Sequence, residues 1–164
     1  IYAARDEVFD PPSSTFEPTK REANVPNVNT IPGEDIFCLD CRIMPQYKLD
    51  EVIAKVDELC KTVAEKFKVT ITSEVVQRAD AAPPTSVDAP VVKALQVALK
   101  DVYNVVGIPQ GIGGGTVAAH IREGGYSAVV WSKMDETMHG PNEYALLSNI
   151  LGDAKVFTHV IFNA

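Results

Sequence analysis

The stretch Ala81-Ala82-Pro83-Pro84-Thr85-Ser86 constrains the fold more than any other feature, because it interrupts every apolar periodicity in the chain. Adjacent prolines fix φ and remove backbone donors, so no helix or central strand continues through them. Two units are expected, residues 1–80 and 81–164. A length of 164 residues suits one ordinary domain or two small pieces.

The first unit reads as α+β. Residues 14–19 alternate in β-compatible fashion, and residues 28–30 and 35–43 do the same on either side of a Pro32-Gly33 turn, which predicts antiparallel strands. The clearest helix follows. Leu49, Val52, Ile53, Val56, Leu59, Cys60, Val63, Ala64 and Phe67 recur at the three- and four-residue spacing of one face, with Asp50 and Glu51 near the positive end of the helix dipole. That face should be buried. Residues 69–76 alternate again and predict another strand, giving a sheet covered on one side. Residues 1–8 read as a scrap of helix running into Asp10-Pro11-Pro12; with no initiator Met, the chain reads as a fragment of a longer gene product.

In the second unit Asp88 can cap a helix with Pro90 just inside it, and Val91, Leu95, Ala98, Leu99 and Val102 form its apolar face up to an end near Gly107. The glycine-rich turn over 111–116 leads into a short helix over 117–122. Residues 127–131 are short, apolar and β-branched, and predict a buried strand. Pro141 should open the last helix, through Tyr144, Leu147, Ile150, Leu151 and Ala154 to about residue 161. The fold class is therefore α/β plus α+β.

Composition narrows the function. The chain is 46% hydrophobic and 23% charged with a net charge of −7, so it lacks the basic face through which nucleic-acid binders release counterions. No apolar run reaches the ~20 residues needed to span a bilayer, and the N-terminus has no signal-peptide pattern; neither nucleic acid nor membrane is an expected partner, and the location is expected to be cytoplasmic. Three cysteines make no disulfide framework. Cys38 and Cys41 form a CxxC, but on a strand residues three apart face opposite ways, so they read as buried strand cysteines rather than a metal pair.

Chemistry-bearing residues are few. The loop over 135–143 gathers carboxylates around His139 between an apolar segment and a helix, and a neutral imidazole is a common zinc ligand with a carboxylate fixing its tautomer. Read alone, a lone surface histidine is an ordinary solvated residue, and no second ligand at HxxxH spacing completes a tetrahedral site. The run Gly111-Ile112-Gly113-Gly114-Gly115-Thr116 has neither the Lys of a P-loop nor the GxGxxG pattern of a dinucleotide site. It suits a structural turn or a close backbone approach to a substrate carboxylate or carbonyl. Arg42, at a strand end, can grip a carboxylate in a bidentate fork, and Asn29 can donate to an oxyanion; in isolation Arg42 is an ordinary surface residue and Asn29 a turn residue.

Taken in order, Val28-Asn29-Thr30-Ile31-Pro32-Gly33-Glu34, Leu39-Asp40-Cys41-Arg42, Gly113-Gly114-Gly115-Thr116 and His139-Gly140-Pro141-Asn142-Glu143 resemble the C-terminal half of the metallopeptidase and deacylase family of aminoacylase, acetylornithine deacetylase, succinyl-diaminopimelate desuccinylase and glutamate carboxypeptidase. The resemblance covers nearly the whole chain. It implies an inserted α+β lid that also forms a homodimer, here residues 1–80, followed by part of a zinc-peptidase-like α/β catalytic domain, residues 81–164. It also implies two zinc ions, with cobalt or manganese as possible replacements, that activate water for attack on an amide.

By the same resemblance His139 is the last zinc ligand, Arg42 the lid arginine on the substrate carboxylate, Asn29 a lid residue reaching substrate or oxyanion, and Gly115 and Thr116 backbone and hydroxyl contacts to substrate. The remaining ligands and the general base have no counterpart in the chain. One departure is visible: His120 stands where the desuccinylases carry an arginine for the acyl carboxylate, so a succinyl substrate is not implied. The expectation is a di-zinc hydrolase of N-acyl amino acids, dipeptides or succinyl-diaminopimelate, whose catalysis belongs to the parent protein, this piece being inactive and holding no stoichiometric zinc. The alternative is a non-catalytic dimerisation or binding module that keeps the family fold.

Overall fold

The computed structural model describes residues 1–138 and 140–163. The chain forms two compact units, Ile1–Ala81 with Gly111–Gly114, and Ala82–Gln110 with Gly115–Ala164. Among the described residues the architecture is mixed α/β, with two two-stranded sheets and four helices.

In the first unit, β1 (Phe9–Asp10) pairs in parallel with β4 (Gly111–Ile112), and β2 (Thr15–Arg21) pairs antiparallel with β3 (Phe37–Arg42). The second ladder runs from Thr15 opposite Arg42 to Arg21 opposite Phe37, with an irregularity between Pro18 and Lys20 where proline lacks a donor. Helix α1 (Leu49–Phe67) has the bounds its periodicity predicts. It ends at Lys68 in the left-handed conformation, whose N–H closes on the Ala64 carbonyl.

Several expectations for this unit fail. Residues 1–8 are not helical: the Tyr2 hydroxyl donates to the Glu51 carbonyl at 3.1 Å and the Ala4 N–H donates to the Tyr47 hydroxyl at 3.1 Å, so long-range bonds replace the local helical ones. Residues 28–30 form a turn rather than a strand, with the Thr30 N–H on the Asn27 carbonyl between Pro26 and Pro32, which cannot donate to a ladder. Residues 69–76 carry strand periodicity without a strand, because the segment is tied back along α1 by side chains. Ser73 donates to Asp57, and Arg78 bridges to Asp50 and Asp80. The predicted burial of the α1 face holds only at its start: Val52 is 4% exposed, but Leu59, Val63 and Phe67 are 48%, 41% and 61% exposed. Cys41 is likewise exposed rather than buried, while Cys38 is half-buried.

The second unit is built on α2 (Pro90–Tyr103) and α4 (Leu147–Asn163), with the short α3 (Ala118–Glu123) between them in sequence. Leu95, Ala98 and Leu99 of α2 and Val156 of α4 form the core, with Val102, Tyr103, Trp131 and Val160 packed against it. Burying side chains of this size is worth about 1.5–3 kcal/mol each. Across the same pair Asp101 and His159 Nε2 lie 2.8 Å apart.

Pro90 occupies the first turn of α2 as predicted, but the N-cap is Ala89, and Asp88 pairs with Lys93 instead. The helix stops at Tyr103, short of Gly107, because Asn104 turns left-handed at φ 55 and bonds back to the Lys100 carbonyl. Residues 127–131 are not a buried strand: both backbone groups of Ala128 are taken by the Thr85 hydroxyl and so withheld from a ladder, and Val129 and Val130 are exposed. The last helix begins at Leu147 and not at Pro141, since Asn142 sits at φ 61, outside helical space.

Candidate functional site

Arg42 terminates β3, where the ladder holds it opposite Thr15. Its Nη1 donates to the Gly113 carbonyl at 2.7 Å and its Nη2 to Asp40 Oδ2 at 2.6 Å. The glycine run is brought there by the β1–β4 pairing, and Gly111 is required for it: a Cβ at that position would lie 2.5 Å from the Phe9 ring. The guanidinium is thus held at two corners while its other N–H donors stay unengaged among the described residues, and the side chain is 53% exposed. A planar guanidinium held by these two bonds, with N–H donors to spare and half its surface exposed, is suited to a carboxylate. Beside it on β3, desolvation and then the Asp40 charge push the Cys41 thiol up, disfavouring a reactive thiolate.

Asn29 lies in the exposed turn over 27–30 and makes no side-chain hydrogen bond among the described residues. In the second unit Gly115 is exposed with open space where a Cβ would stand, and Thr116 is half-buried, its carbonyl accepting from Ala119 N–H at the start of α3. His120 points to Glu123 at 3.2 Å and is exposed.

His139 lies outside the described residues. The loop around it is defined on both sides. Thr137 N–H bonds to the Asp135 carbonyl at 2.8 Å, Gly140 N–H to the Thr137 carbonyl at 3.0 Å, and the Thr137 hydroxyl reaches across to the Tyr144 carbonyl at 3.4 Å. Among the described residues no three His, Cys, Asp or Glu side chains come together to hold a metal ion. They do not by themselves make a metal centre.

Two features at this end of the second unit escaped the sequence reading. Asp153 Oδ1 accepts the Lys133 N–H at 3.1 Å, and the Lys133 ammonium lies 4.9 Å from the centre of the Tyr103 ring. The Tyr103 hydroxyl is buried without a partner, pressed on Gly152; desolvation first, and the Asp153 charge second, raise its pKa. The available signal was Gly152, a glycine inside an apolar helical repeat, which marks a close approach.

Comparison with known proteins is consistent with the motifs. The family described as Peptidase family M20/M25/M40 matches residues 10–163, and the chain belongs to that family. It is 37% identical, over 98% of its length, to an uncharacterized metallohydrolase of Methanococcus maripaludis, and 36% identical, over 98%, to another from Methanocaldococcus jannaschii. It is 26% identical over 91% of its length to an acetylornithine deacetylase of Dictyostelium discoideum. The chain spans 41%, 42% and 39% of these relatives. No solved structure matches it significantly.

Proposed function

We propose that the protein to which this chain belongs is a metal-dependent amide hydrolase acting on N-acyl amino acids or small peptides, and that Arg42 receives the carboxylate of the substrate. The observation that carries this reading is the Arg42 guanidinium, anchored by Gly113 and Asp40 and half exposed. Family membership and the likeness to two metallohydrolases and an acetylornithine deacetylase support the reaction class. Zinc is the proposed metal, with His139 contributing one ligand and the others coming from residues that the described part of the chain does not supply. When bound, such a metal polarises the amide carbonyl and lowers the pKa of attacking water. The chain's own residues orient the substrate: Arg42 by its charge, and Asn29, Gly115 and Thr116 through amide, backbone and hydroxyl groups. A cytoplasmic location and a homodimer formed through a lid made by the first unit complete the proposal.

The test uses protein made from the full reading frame, assayed on N-acetyl amino acids and on the same compounds with the carboxylate amidated, before and after chelation and zinc return. Hydrolysis that needs metal is expected. Arg42→Ala should raise KM for the carboxylate substrates roughly ten- to a hundredfold, the scale of a lost charge-assisted pair, and leave the amidated ones little changed. Absence of any metal-dependent hydrolysis would discard the enzyme reading in favour of a binding module; an unchanged preference for the free carboxylate in Arg42→Ala would discard the role of Arg42.

A further inference from the structure

We infer that Asp153, a residue of α4, is a positioning residue that fixes where the loop over 133–146 begins. The loop needs such a device on simple geometric grounds. Its far end adjoins α4, since the Leu146 carbonyl accepts the N–H groups of Asn149 and Ile150 in the first turn of that helix. Its near end belongs to a segment with no strand of its own, residues 127–133, whose backbone gains no ladder bonds.

Two adjacent contacts hold that near end. Trp131 packs on the α2–α4 pair with its ring 5.8 Å from Tyr103 and 6.4 Å from Phe157. Two residues on, the Lys133 N–H is taken by Asp153 Oδ1 at 3.1 Å, and the Lys133 side chain folds over the Tyr103 ring. Tyr103 can lie there only because residue 152 has no side chain. The first two turns of α4 therefore receive both ends of the loop: Leu146, just before the helix, and Asp153 are separated by about 10 Å along the axis at 1.5 Å per residue. The loop is closed on one rigid helix, and the Thr137 to Tyr144 bond ties it across the middle. Closing a loop in this way removes much of its conformational freedom before any ligand arrives.

The functional weight of this inference rests on the proposed reading, because the loop contains His139; the positioning itself does not. The experiment is amide hydrogen exchange on protein from the full reading frame, comparing wild type, Asp153→Ala, Asp153→Asn and Lys133→Pro, with hydrolysis followed in parallel. Asp153→Ala should speed exchange across the described parts of residues 133–146 roughly tenfold, the scale of one lost hydrogen bond, while α2 and α4 amides keep their protection. Asp153→Asn, which keeps the accepting oxygen, should restore slow exchange. Lys133→Pro removes the donor from the other side and should free the loop with Asp153 intact, so the inference survives a failure of Asp153→Ala to fold. In the hydrolysis assay Asp153→Ala should lower kcat with KM within about twofold of wild type, again rescued by Asn. Loop exchange unaltered in both Asp153→Ala and Lys133→Pro, or altered equally in loop and helices, would overturn the inference. A loop-specific response in a protein without hydrolysis would uphold the positioning and overturn the enzyme reading instead.

Discussion

Tyr103 carries a hydroxyl without a hydrogen-bond partner among the described residues, packed close against Gly152. A hydroxyl packed away from water without a partner is unfavourable, so Tyr103→Phe should raise stability in urea unfolding near pH 7. The raised pKa gives the pH signature. Between the unfolded value near 10 and the higher folded one, the native state binds more protons than the unfolded state, so stability falls as pH rises through that window. Wild type should lose this increment on alkaline titration and Tyr103→Phe should not; equal alkaline losses in the two proteins would show that the phenol is not responsible. Arg42 teaches the converse lesson at the same scale. Its residue type and strand-end position were legible in the sequence, but its support by Gly113 was not, because those residues lie far apart in the chain and meet only through the β1–β4 pairing.

At the scale of elements, the sequence reading was sound for α1 and for the antiparallel strands β2 and β3. It missed elsewhere in both classes: residues 1–8 are not helical, and the last helix begins at Leu147 rather than Pro141. The bounds of α1 follow its apolar spacing from Leu49 to Phe67, and α2 begins at the proline expected to open it. By contrast residues 28–30, 69–76 and 127–131 all carry β-like patterns and form no ladder. Helix α4 offers the sharpest test of packing. A Gly→Ala change inside a helix ordinarily gains about 1 kcal/mol from propensity. At Gly152 the added methyl would fall inside the Tyr103 hydroxyl and lie 2.7 Å from the ring carbon behind it. Gly152→Ala should therefore destabilise by about 1–3 kcal/mol, the cost of overpacking. Tyr103→Phe should relieve part of that loss, so that the double variant departs from additivity in thermal denaturation. A neutral or stabilising Gly152→Ala would mean that the α2–α4 contact yields more easily than the structure indicates.

For the whole molecule, the first unit leaves apolar surface uncovered on α1, at Leu59, Val63 and Phe67, and on the β2–β3 sheet, at Phe16, Phe37 and Leu39. Apolar surface of this extent is commonly covered by another chain. The proposed homodimer accounts for it with a second copy. Light scattering should give a mass above that of a monomer, rising with concentration, and Leu59→Glu with Phe67→Glu should shift it toward the monomer. A clean wild-type monomer at high concentration would remove the dimer from the proposal.

What the sequence determined by itself was whatever local bonds suffice to specify: the span of α1, the proline start of α2, and the ordered motifs that mark membership of the family. A helix closes its hydrogen bonds four residues away, so its pattern and its structure share one window of sequence. Tertiary structure alone decided which β-patterned segments find a partner, how little of the α1 face is buried, and how Asp153 and Tyr103 come to hold Lys133. Each of these depends on groups distant in the chain, and no local spacing encodes whether such a partner arrives.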